Sequence, residues 1–165
     1  MAFWIFKCNP DKYRLADRLA DPNPTLTWTV SRFRDEINAG DTVSLWVTGP
    51  RRGIRAVIRV DEPPRLMAEM ETEQAYWIER DTQEQFRVVG TLTRRDVNLP
   101  HHELREVEGL AELSVFTGFQ QATNFPVTPA QCEILSRLVA GSPGAKPGAA
   151  ADGGGMIGFL GFKVQ

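Results

Sequence analysis

The sequence has little cysteine and no long apolar run. Its two cysteines, Cys8 and Cys132, are too few and too far apart for a disulfide framework or a cysteine-rich metal site. No apolar stretch approaches the ~20 residues that a membrane-spanning helix needs, so no contact with a membrane is expected. The N-terminus shows no basic leader and no small-residue cleavage site, which predicts a cytoplasmic protein.

The sequence also lacks a recognisable catalytic or cofactor-binding motif. It contains no Walker-type loop, and no Gly-x-Gly-x-x-Gly opens a helix after a strand. His101 and His102 are adjacent, and neighbours on a helix point about 100° apart, so the two cannot face one metal ion. The carboxylates of residues 61–85 form no clear pair and are expected on a solvated face. We therefore expect no enzyme activity, no cofactor and no metal site.

The composition that remains is ordinary for a globular protein. Hydrophobic residues make up 42% and charged residues 24% of the 165 positions, which is enough to bury one core. Residues 1–60 hold ten Lys and Arg against six Asp and Glu, whereas the rest of the chain is net acidic. Most of the cations are arginine, which suits forked contacts with phosphate. The net charge of −2 therefore does not exclude nucleic acid as a partner.

Hydrophobic patterning and turn signals predict a mixed fold of short elements. Extended segments are predicted over residues 3–8, 28–30, 42–48, 54–60, 76–78, 86–93 and 113–116. The segment 61–64, which contains two prolines, is expected to end the fourth of these. Short helices are predicted over residues 11–20, 32–38 (capped by Ser31), 101–110 and 129–139. The last of these has the clearest signal, because Thr128 and Gln131 form a capping box around Pro129.

The composition divides the chain into three parts. Residues 1–140 read as one domain. Residues 141–155 hold six Gly, four Ala and two Pro, a composition typical of a flexible linker with a reach of roughly 20 Å. Residues 156–165 form a short apolar tail that either returns to the sheet edge or docks elsewhere.

Large aromatic residues recur beside short polar ones near predicted turns. Trp28 follows a proline-rich loop and lies next to Thr29, Trp46 precedes Thr48, and segment 117–126 mixes amides with phenylalanine. Indole rings stack on flat π-systems and amides read hydrogen-bonding edges, so such segments suit a planar ligand. The alternative is that the tryptophans fill the core.

Five segments, taken in order, resemble the EVE domain, a PUA-like domain related to the YTH domain. They are residues 4–10, 28–32, 40–49, 53–56 and 123–128, and Gly-Asp…Leu-Trp-x-Thr-Gly and Thr-Asn-Phe-Pro-x-Thr are the most specific parts. The resemblance covers about residues 1–140. It implies an α+β, PUA-like fold, in which a strongly bent mixed β-sheet or barrel is flanked by short helices.

The resemblance also implies a function. Its members resemble readers of a modified base, such as methylated cytosine or adenine, held in an aromatic pocket in DNA or RNA. They occur alone or attached to modification-dependent restriction modules, so a restriction/modification or RNA-processing partner is expected. Trp28 matches the principal pocket aromatic and Asn9 a base-edge reader. The other expected pocket residues are Thr29, Ser31, Trp46, Thr48, Phe119, Gln120 and Asn124. One departure is Ala122, which stands where the resemblance leads us to expect glycine.

Arginines near these segments are candidates for phosphate contacts. They are Arg32 and Arg34 after the pocket aromatic, and Arg51 and Arg52 in the predicted hairpin turn. The alternative is that all four belong to solvated turns.

Two other classes of function stay open on the sequence. One is an enzyme acting on nucleotides or nucleic acid, with acids converging from residues 61–85 and 96–112. The other is a protein-interaction module that recruits a partner through residues 141–165. The sequence distinguishes neither DNA from RNA nor one modification from another.

Overall fold

A computed structural model describes residues 1–118 and 121–142. These residues form seven strands and five helices. The strands are β1 (Phe3–Cys8), β2 (Thr25–Thr29), β3 (Thr42–Val47), β4 (Gly53–Met67), β5 (Gln85–Arg94), β6 (Leu99–Pro100) and β7 (Asn124–Val127). The helices are α1 (Leu15–Ala20), α2 (Glu71–Gln74), α3 (His101–Leu104), α4 (Ser114–Thr117) and α5 (Pro129–Ala140). The tail over 156–165 and the linker beyond residue 142 lie outside the described residues.

The strands form one mixed sheet in the order β2-β5-β4-β3-β1-β7, with β6 paired to β4. β1 runs parallel to β3, whereas the other pairings are antiparallel. The two edge strands meet, because the Asn124 side chain at the start of β7 binds the main chain just after β2. The sheet is therefore strongly bent and barrel-like, which confirms the predicted fold class.

Strand β4 is longer than its sequence predicts. This strand runs through Pro63 and Pro64, where we expected it to end. Its pairing with β5 shifts register between Val60 and Glu62 and again between Glu62 and Arg65. Prolines are tolerated at such irregularities because no ladder hydrogen bond is lost there, and bulges increase the local twist.

Side chains alternate between the two faces of the sheet and fill two hydrophobic clusters. In β1, Trp4 and Phe6 enter the first cluster and Ile5 enters the second. The same alternation in β3 sends Leu45 to the first cluster and Trp46 to the second. α1 and β2 contribute to the first cluster, and α3, α4 and α5 contribute to the second.

The strongest local signals are confirmed. Strands β1, β3 and β5 lie where the patterning predicts them. The capping box is complete, because the Gln131 N–H donates to Thr128 Oγ1 (3.2 Å) while the Gln131 side chain accepts from the Thr128 N–H (3.1 Å). Helix α5 accordingly begins at Pro129 and ends before Gly141.

Several short elements differ from the prediction. The segment predicted as a helix over 32–38 forms turns, with Phe33 in the left-handed region (φ 62°) and Ile37 buried. Residues 113–116 are largely helical in α4 rather than extended, and the helix predicted over 101–110 is only four residues long. Residues 76–78 form a single bridge rather than a strand. Elements this short are decided by tertiary contacts rather than by local propensity.

Candidate functional site

A cleft of about 960 Å³ opens beside the end of β1. One wall is formed by β2 and by the turn between β1 and α1. The other wall is formed by the segment that joins α2 to β5. Both walls contribute aromatic rings and polar side chains. Cavities of this size hold small organic ligands, and a single planar ring occupies only part of the space.

Trp28 is half-buried and lines this cleft. β2 presents it against the first hydrophobic cluster, and its indole Nε1 donates to the carbonyl oxygen of Lys7 at 3.4 Å. Its ring meets Tyr13 edge-on, with centroids 5.3 Å apart and an interplanar angle of 80°. The indole is therefore held in one orientation without being closed off from solvent.

Two further aromatic residues, Tyr13 and Trp77, line the cleft, and the sequence did not predict them there. Tyr13 contacts Trp77 at 5.1 Å between centroids with an angle of 66°, so it lies against both indoles at steep angles. The Trp77 indole Nε1 donates to Glu69 Oε2 at 2.7 Å. The sequence places Tyr13 on a helix and Trp77 in a strand, and the single bridge that joins them is a tertiary contact that no local pattern predicts.

The buried carboxylate of Glu73 binds the Tyr13 hydroxyl. The Tyr13 hydroxyl donates to Glu73 Oε1 at 2.6 Å, and Arg18 Nε donates to Glu73 Oε2 at 2.8 Å. Burial raises the pKa of Glu73, an effect opposed by these two donors. Burial, followed by the nearby Glu73 charge, raises the pKa of Tyr13 well above its usual range. The tyrosine is thus a fixed hydrogen-bond donor, and its ring, which is only 4% exposed, supports the two indoles that it contacts.

A second buried network supports the opposite wall. Glu69 accepts hydrogen bonds from the Thr27 hydroxyl and from Trp77, and it lies 3.5 Å from Arg87 Nη1. Arg87 also donates to Asp81 Oδ2 at 2.8 Å. The expectation that the carboxylates of 61–85 lie on a solvated face is therefore wrong for Glu69 and Glu73, which are buried and bound.

The structure brings three of the predicted pocket residues to the cleft: Asn9, Trp28 and Thr29. Asn9 Oδ1 accepts from the Asp11 N–H at 2.9 Å, which leaves its amide Nδ2 without a partner among the described residues. Thr29 Oγ1 accepts from Arg87 Nη1 at 3.1 Å, so its own hydroxyl proton can be donated. Both side chains offer donors close to the Trp28 ring.

Asn124 and Ser31 lie beside the cleft rather than in its lining. Asn124 is fully buried, at 0% exposure, and its Oδ1 accepts from the main-chain N–H groups of Ser31 (2.9 Å) and Arg32 (3.2 Å). Its Nδ2 donates to the Thr29 carbonyl oxygen at 3.4 Å. The expected place of Asn124 in the pocket is corrected here, because this buried amide holds the chain after β2 and is not in the cleft lining.

Trp46 and Thr48 also lie outside the cleft lining. Trp46 is 3% exposed and packs in the second cluster, edge-on against His101 and Phe116. The alternation of β3 sends it to the face opposite Leu45, which corrects its assignment to the pocket wall. The Thr48 N–H and hydroxyl both donate to the Cys8 carbonyl oxygen, at 3.0 and 3.4 Å. This threonine therefore joins the hairpin to β1.

The four candidate phosphate ligands are exposed and none lines the cleft. Arg34 stacks on the Phe86 ring at 4.1 Å and Arg32 on the Phe33 ring at 4.8 Å. Arg51 and Arg52 lie in the turn between β3 and β4. Phe119 and Gln120, which were also expected in the pocket, lie outside the described residues.

Several ionisable side chains line the cleft, and Cys8 is one of them. Burial raises the pKa of the Cys8 thiol to about 12, so the thiol is neutral near neutral pH. Among residues 1–118 and 121–142, no group of three or more His, Cys, Asp and Glu side chains is placed to hold a metal ion. Within the same residues, no helix is long and apolar enough to span a bilayer.

Comparison with solved structures places this fold among known ones. A hypothetical protein from Leishmania major matches with a TM-score of 0.60 and 19% identity, over 84% of this chain and 94% of that one. Human THYN1 protein, solved in complex with 5-methylcytosine-containing DNA, matches with a TM-score of 0.57 and 15% identity, over 84% and 97%. A variant of an ASCH protein from Zymomonas mobilis matches with a TM-score of 0.50 and 9% identity, over 83% and 96%. At these identities the likeness concerns the fold.

Sequence comparison identifies the family. No curated protein matches the chain closely enough to count as a relative. The profile of the EVE domain matches residues 2–138, which include every strand and nearly all of the last helix. The chain therefore belongs to the EVE domain family, and its bent mixed sheet is the PUA-like fold that the sequence resemblance implied.

Proposed function

We propose that this protein is a non-catalytic nucleic-acid-binding module that reads a modified base, such as methylated cytosine or adenine. The observation that carries the proposal is the cleft, in which Tyr13, Trp28 and Trp77 present three rings held by hydrogen bonds. The 5-methylcytosine DNA bound to human THYN1 supports the choice of ligand class. DNA and RNA both remain within the proposal, as does a cytoplasmic setting with a restriction/modification or RNA-processing partner.

Residue roles follow from the geometry. The Trp28 ring stacks on the base, and Trp77 and Tyr13 close the pocket around it. Asn9 Nδ2 and the Thr29 hydroxyl donate to acceptor atoms on the base edge. Asn124 takes no direct part and positions the chain that follows Trp28.

The buried acids nearest the rings are bound to other groups. Glu69 and Glu73 lie in ion pairs with Arg87 and Arg18 respectively, and the Cys8 thiol is neutral near neutral pH. These contacts support the proposal that the cleft binds a ligand without catalysing a reaction on it.

The energetics of base reading make the affinity of this domain modest. Extruding a base from a duplex costs a few kcal/mol, and stacking it on an aromatic ring returns about 1–3 kcal/mol. Burying one extra methyl group adds roughly 0.8 kcal/mol. These terms nearly cancel, so contacts from the exposed arginines to phosphate must supply most of the remaining affinity.

The proposal is tested by replacing the principal ring. Trp28→Ala removes the stacking surface, so affinity for an oligonucleotide carrying 5-methylcytosine should fall by about 1–3 kcal/mol, and the preference over the unmodified oligonucleotide should disappear. Fluorescence anisotropy titrations of both oligonucleotides, single- and double-stranded, measure the two quantities. Titrations with 6-methyladenine oligonucleotides test the other expected modification.

Trp28→Phe is the matched control, because it keeps a smaller aromatic ring in place. This variant should retain an intermediate affinity and some preference for the modified base. Thermal unfolding of both variants checks that the fold is intact. If Trp28→Ala binds modified and plain oligonucleotides as the unchanged protein does, the cleft is not the reading site.

A further inference from the structure

Few large apolar side chains are exposed in the described part of the chain. Met1, Leu66 and Ile78 are the ones identified, at 88%, 55% and 47% exposure. Of these three, only Ile78 borders the aromatic cleft. Single exposed apolar side chains are normal on protein surfaces, so it is the position of Ile78 that distinguishes it.

Ile78 is attached to a fixed main chain at the mouth of the cleft. Its N–H donates to the Lys12 carbonyl oxygen at 2.9 Å. The residue before it, Trp77, pairs with Tyr13 in a bridge and is held by Glu69 through its indole nitrogen. This segment is therefore bound to Lys12, in the turn after β1, and to the buried carboxylate of Glu69.

The side chain itself is stiff. Isoleucine is branched at Cβ, which restricts its χ1 angle, so little conformational entropy is lost when it contacts a ligand. Ile78 directly follows Trp77, which supplies one of the three rings. A ligand that packs against an indole in this cleft therefore brings its covalent neighbours towards Ile78, which lines the same cleft.

An extruded base leaves a gap between its former neighbours. Proteins that distort nucleic acid often insert a rigid apolar side chain into such a gap, which replaces part of the lost stacking contact. A polar or flexible side chain would not do this as well, because it would have to be desolvated or ordered first.

We propose that Ile78 is such a wedge, filling the space between the two neighbours of the base held in the cleft. The inference rests on the proposed function, since without a base between the rings there is no gap to fill. It specifies the ligand further: the cleft recognises a base within a polynucleotide, where neighbours are present, in preference to a free nucleoside.

The test compares two matched variants on two probes. Ile78→Ser removes the proposed wedge, and Leu66→Ser removes an equally exposed apolar side chain away from the cleft. The probes are a duplex with one 5-methylcytosine and the free nucleoside 5-methyl-2′-deoxycytidine. Ile78→Ser should bind the duplex about threefold to tenfold more weakly and the nucleoside as before, whereas Leu66→Ser should change neither affinity.

The outcomes distinguish the proposed role of Ile78 from the proposed base-reading function. Unchanged duplex binding by Ile78→Ser, or an equal loss on duplex and nucleoside, overturns the wedge; the equal loss would make Ile78 part of the base pocket. Both results leave the proposed function standing, because Trp28→Ala tests that independently. If the unchanged protein binds neither probe, the reading of 5-methylcytosine is overturned and the wedge with it.

Discussion

Asn124 shows how one buried side chain can hold the main chain beside the cleft. A buried amide that accepts from two main-chain N–H groups satisfies donors that the turn after β2 would otherwise leave unpaired. The Asn124 position also joins the two edge strands of the sheet. This residue therefore helps to hold the chain that follows Trp28 in place.

Asn124→Ala should destabilise the fold by about 1–3 kcal/mol, because it leaves buried main-chain donors without a partner. It should also weaken binding of the modified oligonucleotide, since the chain that follows Trp28 loses its attachment. Urea unfolding measures the first effect and anisotropy titration the second.

Asn98→Ala serves as the control for this variant, because Asn98 is exposed and makes no side-chain hydrogen bond to the described residues. If Asn124→Ala unfolds at the same urea concentration as Asn98→Ala, the proposed positioning role fails.

At the level of elements, the cleft depends on segments that contain little regular secondary structure. The chain between β4 and β5 holds only the four-residue helix α2, yet it supplies Trp77 and one whole wall. The buried Arg87 guanidinium stabilises it by donating to Met67 and Gln83 carbonyl oxygens and to the Asp81 carboxylate. One side chain on a strand thus replaces the hydrogen bonds that a regular element would make.

Arg87→Met should cost about 3–5 kcal/mol of stability, because it leaves the Glu69 and Asp81 carboxylates without their buried partner. Arg59→Met is the comparison, since Arg59 pairs with Asp61 on the exposed side of neighbouring β4, and exposed pairs contribute little. The free energy of unfolding from urea titration measures both. A loss from Arg87→Met no larger than that from Arg59→Met would contradict the supporting role of this arginine.

At the scale of the whole molecule, the cleft and the candidate phosphate ligands lie apart. The cleft lining mixes carboxylates with cations, whereas the four candidate arginines are exposed and lie outside it. Under the proposed function the base would be read in the cleft and the backbone bound at the arginines, since phosphate contacts carry little sequence information.

Replacing Arg51 and Arg52 together by alanine should weaken modified and plain oligonucleotides by the same factor. It should also reduce the slope of log affinity against log salt concentration by about one unit per lost phosphate contact. Titrations at several salt concentrations measure the slope.

The paired control for this double variant is Arg59→Ala with Arg65→Ala, since both of these arginines already pair with acids on β4. A loss confined to the modified oligonucleotide would assign Arg51 and Arg52 to base reading instead of phosphate binding.

Prediction from sequence succeeded where the signal was local. The apolar run in residues 3–8 and the capping box at Thr128 each depend on a few neighbouring residues, and both elements form as predicted. The resemblance was carried by several such short motifs, so the family and the fold class followed from them. Within the candidate site, Asn9, Trp28 and Thr29 line the cleft, and their role in reading a base stays a prediction.

The rest of the cleft came from long-range packing. Trp46 and Trp28 both lie near the ends of strands and beside short polar residues. In the structure Trp46 is buried in the second hydrophobic cluster, whereas Trp28 stays partly open to solvent. Trp77 joins Tyr13 through a bridge across more than sixty positions. Asn124 faces main chain because the bent sheet brings its two edges together. Local patterning therefore predicts the longer strands and helix α5. The packing of distant segments decides the short elements and the choice of rings and amides that line the cleft, because those contacts join parts of the chain that no short stretch of residues contains.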